Sequence, residues 1–197
     1  MDGNKNMTVT IGVLALQGAV SEHIKALKDS GAETIAVKDA SQLEELDGLV
    51  LPGGESTTMR RLMDKYGLFD AIKIFAKKKA IFGTCAGLIL MAKEIEGRKG
   101  PHLGLLDIDV KRNAFGSQVD SFESDLKIDH VAESFDGVFI RAPYIKKVGP
   151  GVEILSTYNQ HIVACHQGRF LACAFHPELT GDTRFHEYFV KITKENK

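Results

Sequence analysis

Cysteine is scarce in this sequence, with only three among 197 residues. An odd count, in a chain whose first six residues carry no apolar signal core, argues against a disulfide framework and for reduced thiols. Long apolar runs are also missing, since none approaches the roughly 20 residues that span a bilayer. These absences predict a cytoplasmic protein with free thiols and no membrane partner.

Neither sign of charge is in excess. Lysines and arginines total 25 and aspartates and glutamates total 26, which gives a formal net charge of -1. No basic stripe is interleaved with aromatic residues, so a nucleic acid partner is not expected. Cys-x-x-Cys and His-x-x-x-His pairs are absent, and we expect no metal site. No proline-, glycine- or serine-rich linker divides the chain. We therefore expect one domain over residues 8–197, after a disordered leader at residues 1–7.

Apolar runs and helical spacing alternate through the first half of the chain. Residues 8–14 read as a buried strand, and Val20, Ile24 and Leu27 recur at helical spacing before Gly31. Such alternation predicts a single-domain, three-layer α/β fold whose sheet is largely parallel. From about residue 105 the pattern changes to short apolar runs separated by turn residues. This pattern predicts that the second half of the sheet is mixed or antiparallel and that an amphipathic helix ends the chain. Further strands are predicted at 34–37, 49–51, 80–82, 105–111, 137–141, 152–156, 161–165 and 170–175.

The segment 83–87, Gly-Thr-Cys-Ala-Gly, joins a short apolar run to a helical pattern and has the form of a nucleophile elbow. Its glycines suit a sharp turn that projects Cys85, and a helix N-terminus favours a thiolate over a thiol. Cys165 and Cys173 lie in apolar runs, where cysteine is usually a small core residue. Cys85 is therefore the candidate nucleophile.

A cysteine nucleophile needs a base, and the base needs a partner that fixes its tautomer. His176 follows the last predicted strand, and extended backbone would place the side chain of Glu178 beside its imidazole, because Pro177 disfavours helix. His176 and Glu178 are thus the candidate base and its orienting carboxylate. The other histidines are interpreted as surface or satisfied core residues: His23, His102, His130, His161, His166 and His186.

A second glycine-containing loop, residues 51–57, leaves a buried strand and enters a helix, with serine and threonine as capping candidates. It lacks the Gly-Lys-Ser/Thr of a Walker phosphate loop. Its adjacent glycines can present a backbone amide to an oxyanion, a task that Ala86, after the nucleophile, can share. The alternative is a mere turn and helix cap.

The elbow, the Pro-Gly-Gly-Glu-Ser loop and the terminal His-Pro-Glu, in that order, resemble the class I (triad) glutamine amidotransferases. From about Thr8 to the C-terminal helix, the chain is similar to one subfamily, the glutaminase subunits of pyridoxal 5'-phosphate synthase. The resemblance implies a flavodoxin-like fold with a mostly parallel but mixed central sheet. The segments that carry the resemblance are 14–20, 51–61, 112–123, 139–143 and 175–180.

The resemblance implies hydrolysis of L-glutamine to L-glutamate and ammonia through a glutamyl thioester, without a cofactor. Cys85 is then the nucleophile, His176 the general base and acid, and Glu178 the residue that orients His176. Gly54 and Ala86 would form the oxyanion hole. The implied glutamine-binding residues are Gly54, Glu55, Ser56, Arg112, Ile140 and Arg141.

The chain has no second domain that could consume ammonia, and the resemblance implies a separate partner, the synthase subunit of a hetero-oligomeric complex. The Gly53-Gly54 peptide is a candidate switch for activation by that partner, because glycine can present either its carbonyl or its amide at low strain. Gln17 is a candidate for holding one orientation.

Other functions remain open from the residues alone. A cysteine hydrolase or stress-type protein on the same fold would keep the elbow but lack the His-Pro-Glu and the glycine loop. A non-catalytic partner-binding module would carry a vestigial triad. Within the enzyme interpretation, the chain could serve another synthase, of the anthranilate or imidazole glycerol phosphate type.

Overall fold

The computed structural model describes residues 7–115 and 120–197, so residues 1–6 of the expected leader at 1–7 and residues 116–119 of the segment 112–123 lie outside the described residues. The described helices are α1 (Val20–Asp29), α2 (Ser56–Lys65), α3 (Leu68–Phe75), α4 (Ala86–Met91) and α5 (Arg184–Asn196). The described strands are β1 (Thr10–Leu14), β2 (Glu33–Val37), β3 (Gly48–Leu51), β4 (Ala80–Thr84), β5 (Ala92–Ile95), β6 (Leu106–Lys111), β7 (Ser121–Ile128), β8 (Ala132–Ile140), β9 (Tyr144–Val148), β10 (Glu153–Tyr158), β11 (His161–Gln167) and β12 (Phe170–Cys173).

The main sheet has ten strands in the order β2-β1-β3-β4-β12-β11-β9-β6-β5, with β10 paired to β11. Its first five strands are all parallel, whereas β12, β11, β9 and β6 follow one another in antiparallel pairs. Strands β3 and β4 are buried along their whole length, as expected for continuous apolar runs in a parallel sheet covered on both faces.

Two hydrophobic clusters lie on opposite faces of this sheet. One contains the apolar residues of α2, α3 and α4, and the other contains those of α1 and α5. The sheet is therefore the middle layer of three, and the predicted class, a single-domain α/β sandwich with a mixed sheet, is confirmed. None of the helices in the described part of the chain is long and apolar enough to cross a membrane.

Strands β7 and β8 form a separate antiparallel hairpin outside the main sheet. Phe135 and Phe139 of β8 pack against Phe175, and Phe135 also packs against Phe185 of α5. This packing anchors the hairpin on the face that α1 and α5 cover, and it brings the end of β8 to the carboxyl edge of the main sheet.

Strands β5, β7 and β9 were not predicted, and β8 begins five residues before its predicted start at 137. The remaining predicted strands and the closing helix are present, with ends that differ by a few residues. The missed strands are rich in lysine, glutamate, serine or aspartate and half exposed, so their apolar signal is weak.

Candidate active site

Cys85 lies between β4 and α4, at the carboxyl edge of the sheet. Its backbone adopts φ 52° and ψ -106°, which side-chain-bearing residues rarely do. Its amide donates to the carbonyl oxygen of Cys173 at 2.9 Å, which ties the elbow to the end of β12. The expected sharp turn between strand and helix is present, with 6% of Cys85 exposed.

The glycines that flank the elbow allow α4 to approach the sheet closely. A Cβ on Gly87 would lie 1.9 Å from the carbonyl oxygen of Leu51 in β3, and one on Gly83 would lie 2.5 Å from the backbone of Gly87. Any side chain at these positions would push α4 away from β3 and β4. Glycine is thus required at positions 83 and 87 because α4 packs directly against β3 and β4.

His176 and Glu178 are in contact, as predicted, with Nδ1 of His176 2.6 Å from Oε1 of Glu178. The predicted backbone is wrong, because Pro177–Leu179 forms a 3-10 turn and not a continuation of extended chain. The turn still brings the two side chains together, since it begins only after His176. The His176 amide donates to the carbonyl oxygen of Val138 at 2.8 Å, which links this turn to the β7–β8 hairpin.

The surroundings of His176 favour its protonated form. Burial opposes the charge, but hydrogen bonds with Cys85 and Glu178, and the negative charges of both groups, together raise the pKa of His176 to about 10. The imidazole therefore holds a proton near neutral pH, where it faces Cys85 on one side and Glu178 on the other.

The other two thiols have a different environment. Both side chains are fully buried, and burial raises the pKa of Cys165 to about 12 and that of Cys173 well above its usual range. All three cysteines are free. Cys165 and Cys173 are core residues, as the sequence predicted.

The glycine loop after β3 lies against the imidazole of His176. A Cβ on Gly53 would come within 2.6 Å of Cε1 of His176, so only glycine fits there. Gly54 has φ 144°, a value that favours glycine. Next to it, Oε1 of Gln17 accepts a hydrogen bond from the amide of Glu55 at 2.9 Å. Gln17 thus holds the loop just beyond the Gly53-Gly54 peptide.

Helix α2 is capped by Glu55, and the expectation of a serine or threonine cap is wrong. The Glu55 carboxylate accepts from the amides of Thr57 and Thr58 at 3.1 and 2.7 Å. These bonds, with those of the threonine hydroxyls, lower the pKa of Glu55 to about 2, the Thr57 hydroxyl having the largest effect. Glu55 faces the pocket, but its carboxylate is bound to the helix.

A cavity of about 360 Å³ lies beside Cys85 and His176. Ala86 and all the predicted glutamine-binding residues line this cavity. Glu178 does not line it and contacts His176 instead. Gln17 and Gly53 lie in the adjoining loops. Ile89 and Asn113 also line the cavity and were not predicted. Ile89 could have been predicted from the sequence, because it lies four residues after Cys85 and so on the same face of α4. The predicted residues in the wall are Gly54, Glu55, Ser56, Cys85, Ala86, Arg112, Ile140, Arg141 and His176.

The hairpin supplies one side of this cavity. The carbonyl oxygen of Ile140 lies 3.7 Å from Sγ of Cys85. Arg141 has φ 46°, and its exposed guanidinium lies 3.7 Å from the carboxylate of Asp120. Within residues 7–115 and 120–197, no cluster of three or more histidine, cysteine, aspartate or glutamate side chains could hold a metal ion.

The site thus combines a cysteine at a strand end with a buried histidine, a carboxylate and an adjoining cavity, which are the groups that nucleophilic thiol chemistry requires. A model of the SNO glutamine amidotransferase family matches residues 13–195. The chain belongs to this family.

Sequence identity to named proteins and similarity to a solved structure support this family assignment. A protein named pyridoxal 5'-phosphate synthase subunit PdxT from Oenococcus oeni is 99% identical over 191 residues, which are 97% of this chain and 100% of the relative. The PdxT subunit from Geobacillus kaustophilus is 61% identical, covering 95% of this chain and 96% of its own. A crystal structure of a glutamine amidotransferase, 48% identical, superposes with a TM-score of 0.88 over 93% of this chain and 98% of its own. The expected glutamine amidotransferase fold is confirmed.

Proposed function

We propose that this chain is the glutaminase subunit of a pyridoxal 5'-phosphate synthase and that it hydrolyses L-glutamine to L-glutamate and ammonia. The observation that carries this function is its identity of 99% to a PdxT subunit over that subunit's whole length. Residues 8–197 form the glutaminase domain, and the complex acts in the cytoplasm. The contacts of Cys85 and His176 support the chemistry.

The reaction begins with attack of the Cys85 thiolate on the side-chain amide carbon of glutamine. The carbonyl oxygen becomes an oxyanion, which the backbone amides of Gly54 and Ala86 stabilise. His176, protonated near neutral pH, donates its proton to the departing ammonia and leaves a glutamyl thioester. Water, deprotonated by His176, then cleaves the thioester. Glu178 holds the imidazole in place through Nδ1.

The cavity wall divides between the two ends of glutamine. Arg112 and Arg141 bind the α-carboxylate, since guanidinium groups bind carboxylates in bidentate fashion. The remaining wall residues, Ser56, Ile140 and the backbone of Glu55, border the substrate between the arginines and Cys85. The Glu55 side chain takes no direct part, because its carboxylate caps α2.

The Gly53-Gly54 peptide acts as the switch that sets activity. Its support is the contact of Gly53 with the His176 ring and the hydrogen bond of Gln17 to the next amide, that of Glu55. A peptide between two glycines can rotate at low strain, so that the amide of Gly54 faces the oxyanion only in one state. Binding of the synthase subunit selects that state.

The test combines mutagenesis with covalent labelling, in the presence of the synthase subunit. Cys85→Ala is expected to abolish glutamate release while the protein stays folded, and Cys173→Ala, a matched change of a buried thiol, is expected to leave release largely intact. A glutamine-analogue alkylator should modify Cys85 alone, as located by mass spectrometry. If Cys85→Ala and the parent release glutamate at equal rates at matched folded fraction, Cys85 is not the nucleophile. That result would favour a non-catalytic binding module.

The synthase itself is identified by reconstitution. Addition of pyridoxal 5'-phosphate synthase subunits with glutamine, a pentose phosphate and a triose phosphate is expected to yield pyridoxal 5'-phosphate. Formation of a complex and product only with the synthases of anthranilate or imidazole glycerol phosphate would instead assign the chain to one of those pathways.

A further inference from the structure

Two buried histidines are in contact with each other, one of them beside Glu178, and the proposed mechanism does not use them. His23 in α1 and His186 in α5 are both fully buried. Nδ1 of His23 is 3.0 Å from Nε2 of His186, so one ring donates to the other. The other nitrogen of His23, Nε2, points toward the end of β4 and the His176–Glu178 turn, where it lies 3.3 Å from Oγ1 of Thr84.

Glu178 presents an unpaired oxygen to this pair. Oε1 is bound to His176, but Oε2 is buried and has no hydrogen-bond partner among the described residues. The ring nitrogen Nε2 of His23 is 3.6 Å away, a few tenths of an ångström beyond hydrogen-bond range. A buried carboxylate oxygen without a donor is costly, so such an oxygen calls for an explanation.

Both histidines are neutral, which limits the arrangements of their protons. Burial, followed by the charges of His186 and His176, lowers the pKa of His23 well below its usual value, and burial lowers the pKa of His186 to about 4. Each ring therefore carries one proton. The charged or titratable groups that face His23 are Glu178, His176 and His186.

Two arrangements satisfy the contact between the rings. If His23 donates through Nδ1, the lone pair on its Nε2 faces the Glu178 carboxylate, and the two repel. If His186 donates through Nε2, the His23 proton lies on Nε2 and points toward Glu178 Oε2 and Thr84. Both arrangements leave Nδ1 of His186 without a partner, so the contact with Glu178 decides between them.

We propose that His23 is a positioning residue of the glutaminase, whose Nε2–H donates to Oε2 of Glu178 and so holds the carboxylate against His176. The inference rests on the proposed role of Glu178. The missing few tenths of an ångström close when glutamine and the synthase subunit are bound, since catalytic hydrogen bonds tighten in the substrate complex. In this arrangement Nε2 of His186 donates to Nδ1 of His23 on the other side of the ring.

Two substitutions of His23 separate this role from simple packing. The amide nitrogen of glutamine comes close to the position of imidazole Nε2, whereas the shorter side chain of asparagine reaches only the position of Nδ1. In the complex with the synthase subunit, His23→Asn is expected to lower kcat for glutamate release by about 10- to 100-fold, the effect of losing one hydrogen bond to a charged group. KM for glutamine should stay unchanged, because His23 does not line the cavity.

His23→Gln is expected to recover much of the kcat that His23→Asn loses. Equal losses in both variants, or losses that follow the folded fraction measured by circular dichroism, would overturn the positioning role. Glu178→Gln, assayed in parallel, distinguishes the two levels of the argument. If Glu178→Gln retains full activity, the triad itself is wrong; if it is impaired while His23→Asn is not, only the role of His23 falls.

A measurement on the parent protein avoids any failure of the variants to fold. Long-range ¹H–¹⁵N correlation spectra of protein labelled at histidine report which ring nitrogen carries the proton. We expect His23 to be neutral with its proton on Nε2. A proton on Nδ1 would leave a lone pair facing Glu178 and would refute the proposal.

Discussion

The backbone of Cys85 is held in a conformation that costs stability. Residues with side chains in sparsely populated regions cost of order 1–3 kcal/mol each, and glycine escapes this cost. Cys85, with φ 52° and ψ -106°, is such a residue, and its neighbours α4 and β12 hold it there. The strain is a property of the turn and persists when the thiol is removed.

Replacement of Cys85 by glycine should therefore stabilise the fold relative to replacement by alanine. We expect Cys85→Gly to exceed Cys85→Ala by about 1 kcal/mol in free energy of unfolding, after allowance for the greater freedom of unfolded glycine. Both variants should be inactive. Urea denaturation followed by circular dichroism measures the difference, and a Cys85→Gly protein less stable than Cys85→Ala would show that the turn is not strained.

The protonation of His176 depends on its two partners, and this dependence can be measured. Removal of the Glu178 charge in Glu178→Gln leaves the desolvation of the imidazole in place but takes away one cause that raises its pKa. We expect the pKa of His176, about 10 in the parent, to fall in the variant, and kcat to fall more than KM rises. Titration of the ring by NMR checks the direction. An unchanged pKa would mean that Glu178 does not support the imidazolium.

Sequence patterns indicated the candidate catalytic residues because the elbow and His-Pro-Glu motifs are local. Residues this close in sequence also lie close in space, so His176 and Glu178 are in contact even though a 3-10 turn stands where extended chain was predicted. The contact of His23 with Glu178 had no such signal, since α1 and the His176–Glu178 turn meet only in the folded chain. Asn113 was missed for the same reason, because its place in the cavity wall depends on how the loop after β6 folds back.

At the scale of elements, the cap of α2 links stability to pH. Glu55 has a folded pKa of about 2, below its usual 4.5, so its contribution is complete above pH 4.5 and is lost as the pH falls toward 2. We expect Glu55→Ala to lower the free energy of unfolding by about 1 kcal/mol at pH 7, the usual value for loss of an N-cap side chain.

The difference between Glu55→Ala and the parent should narrow as the pH falls from 4.5 toward 3. Glu45→Ala removes an exposed glutamate and is a matched control, expected to change stability by less than about 0.5 kcal/mol. Denaturant titrations at pH 7 and pH 3 measure both. A difference between parent and Glu55→Ala that is constant over this range would show that the carboxylate does not act as the cap.

The elements of the parallel half were predictable because each buried strand is an almost unbroken apolar run. Strands β3 and β4 are examples, and each is followed by a glycine turn that marks its end. The hairpin β7–β8 is different, because only one of its faces is buried and its other face is charged and exposed. Its position over α5 follows from aromatic packing between distant residues, which no local pattern contains.

At the scale of the whole molecule, parallel strand order is what assembles the site. Strands β1, β3, β4 and β12 are neighbours that run in the same direction, so their carboxyl ends lie at one edge of the sheet. The Gln17 loop, the Gly53-Gly54 loop, the elbow and the His176–Glu178 turn leave those four ends in turn. Arg112, which follows β6 of the mixed half, and the Ile140-Arg141 pair, which follows the separate β7–β8 hairpin, lie at the same edge. The candidate catalytic residues thus follow strands of the parallel half, whereas residues of the cavity wall come from the parallel half, the mixed half and the hairpin.

Ammonia released from glutamine must reach the group that consumes it. In water near neutral pH ammonia is mostly protonated and no longer nucleophilic, so release into solvent would waste the product. We expect glutamate release by the isolated chain to be low and to rise with added synthase subunit until the complex is saturated. Full activity alone, with no increase and no complex by gel filtration, would refute activation by the partner.

Isotope competition then tests whether ammonia passes directly to the synthase subunit. The complex is supplied with glutamine labelled with ¹⁵N in its side-chain amide, together with an excess of unlabelled ammonium chloride. If ammonia travels through an enclosed path, the pyridoxal 5'-phosphate formed should carry a much larger fraction of ¹⁵N than the ammonium pool in solution does. Dilution of the label in proportion to external ammonium would mean that ammonia leaves through solvent. In the Cys85→Ala complex, product should form only from external ammonium and carry no label, which would show that Cys85 is needed to release the labelled nitrogen from glutamine.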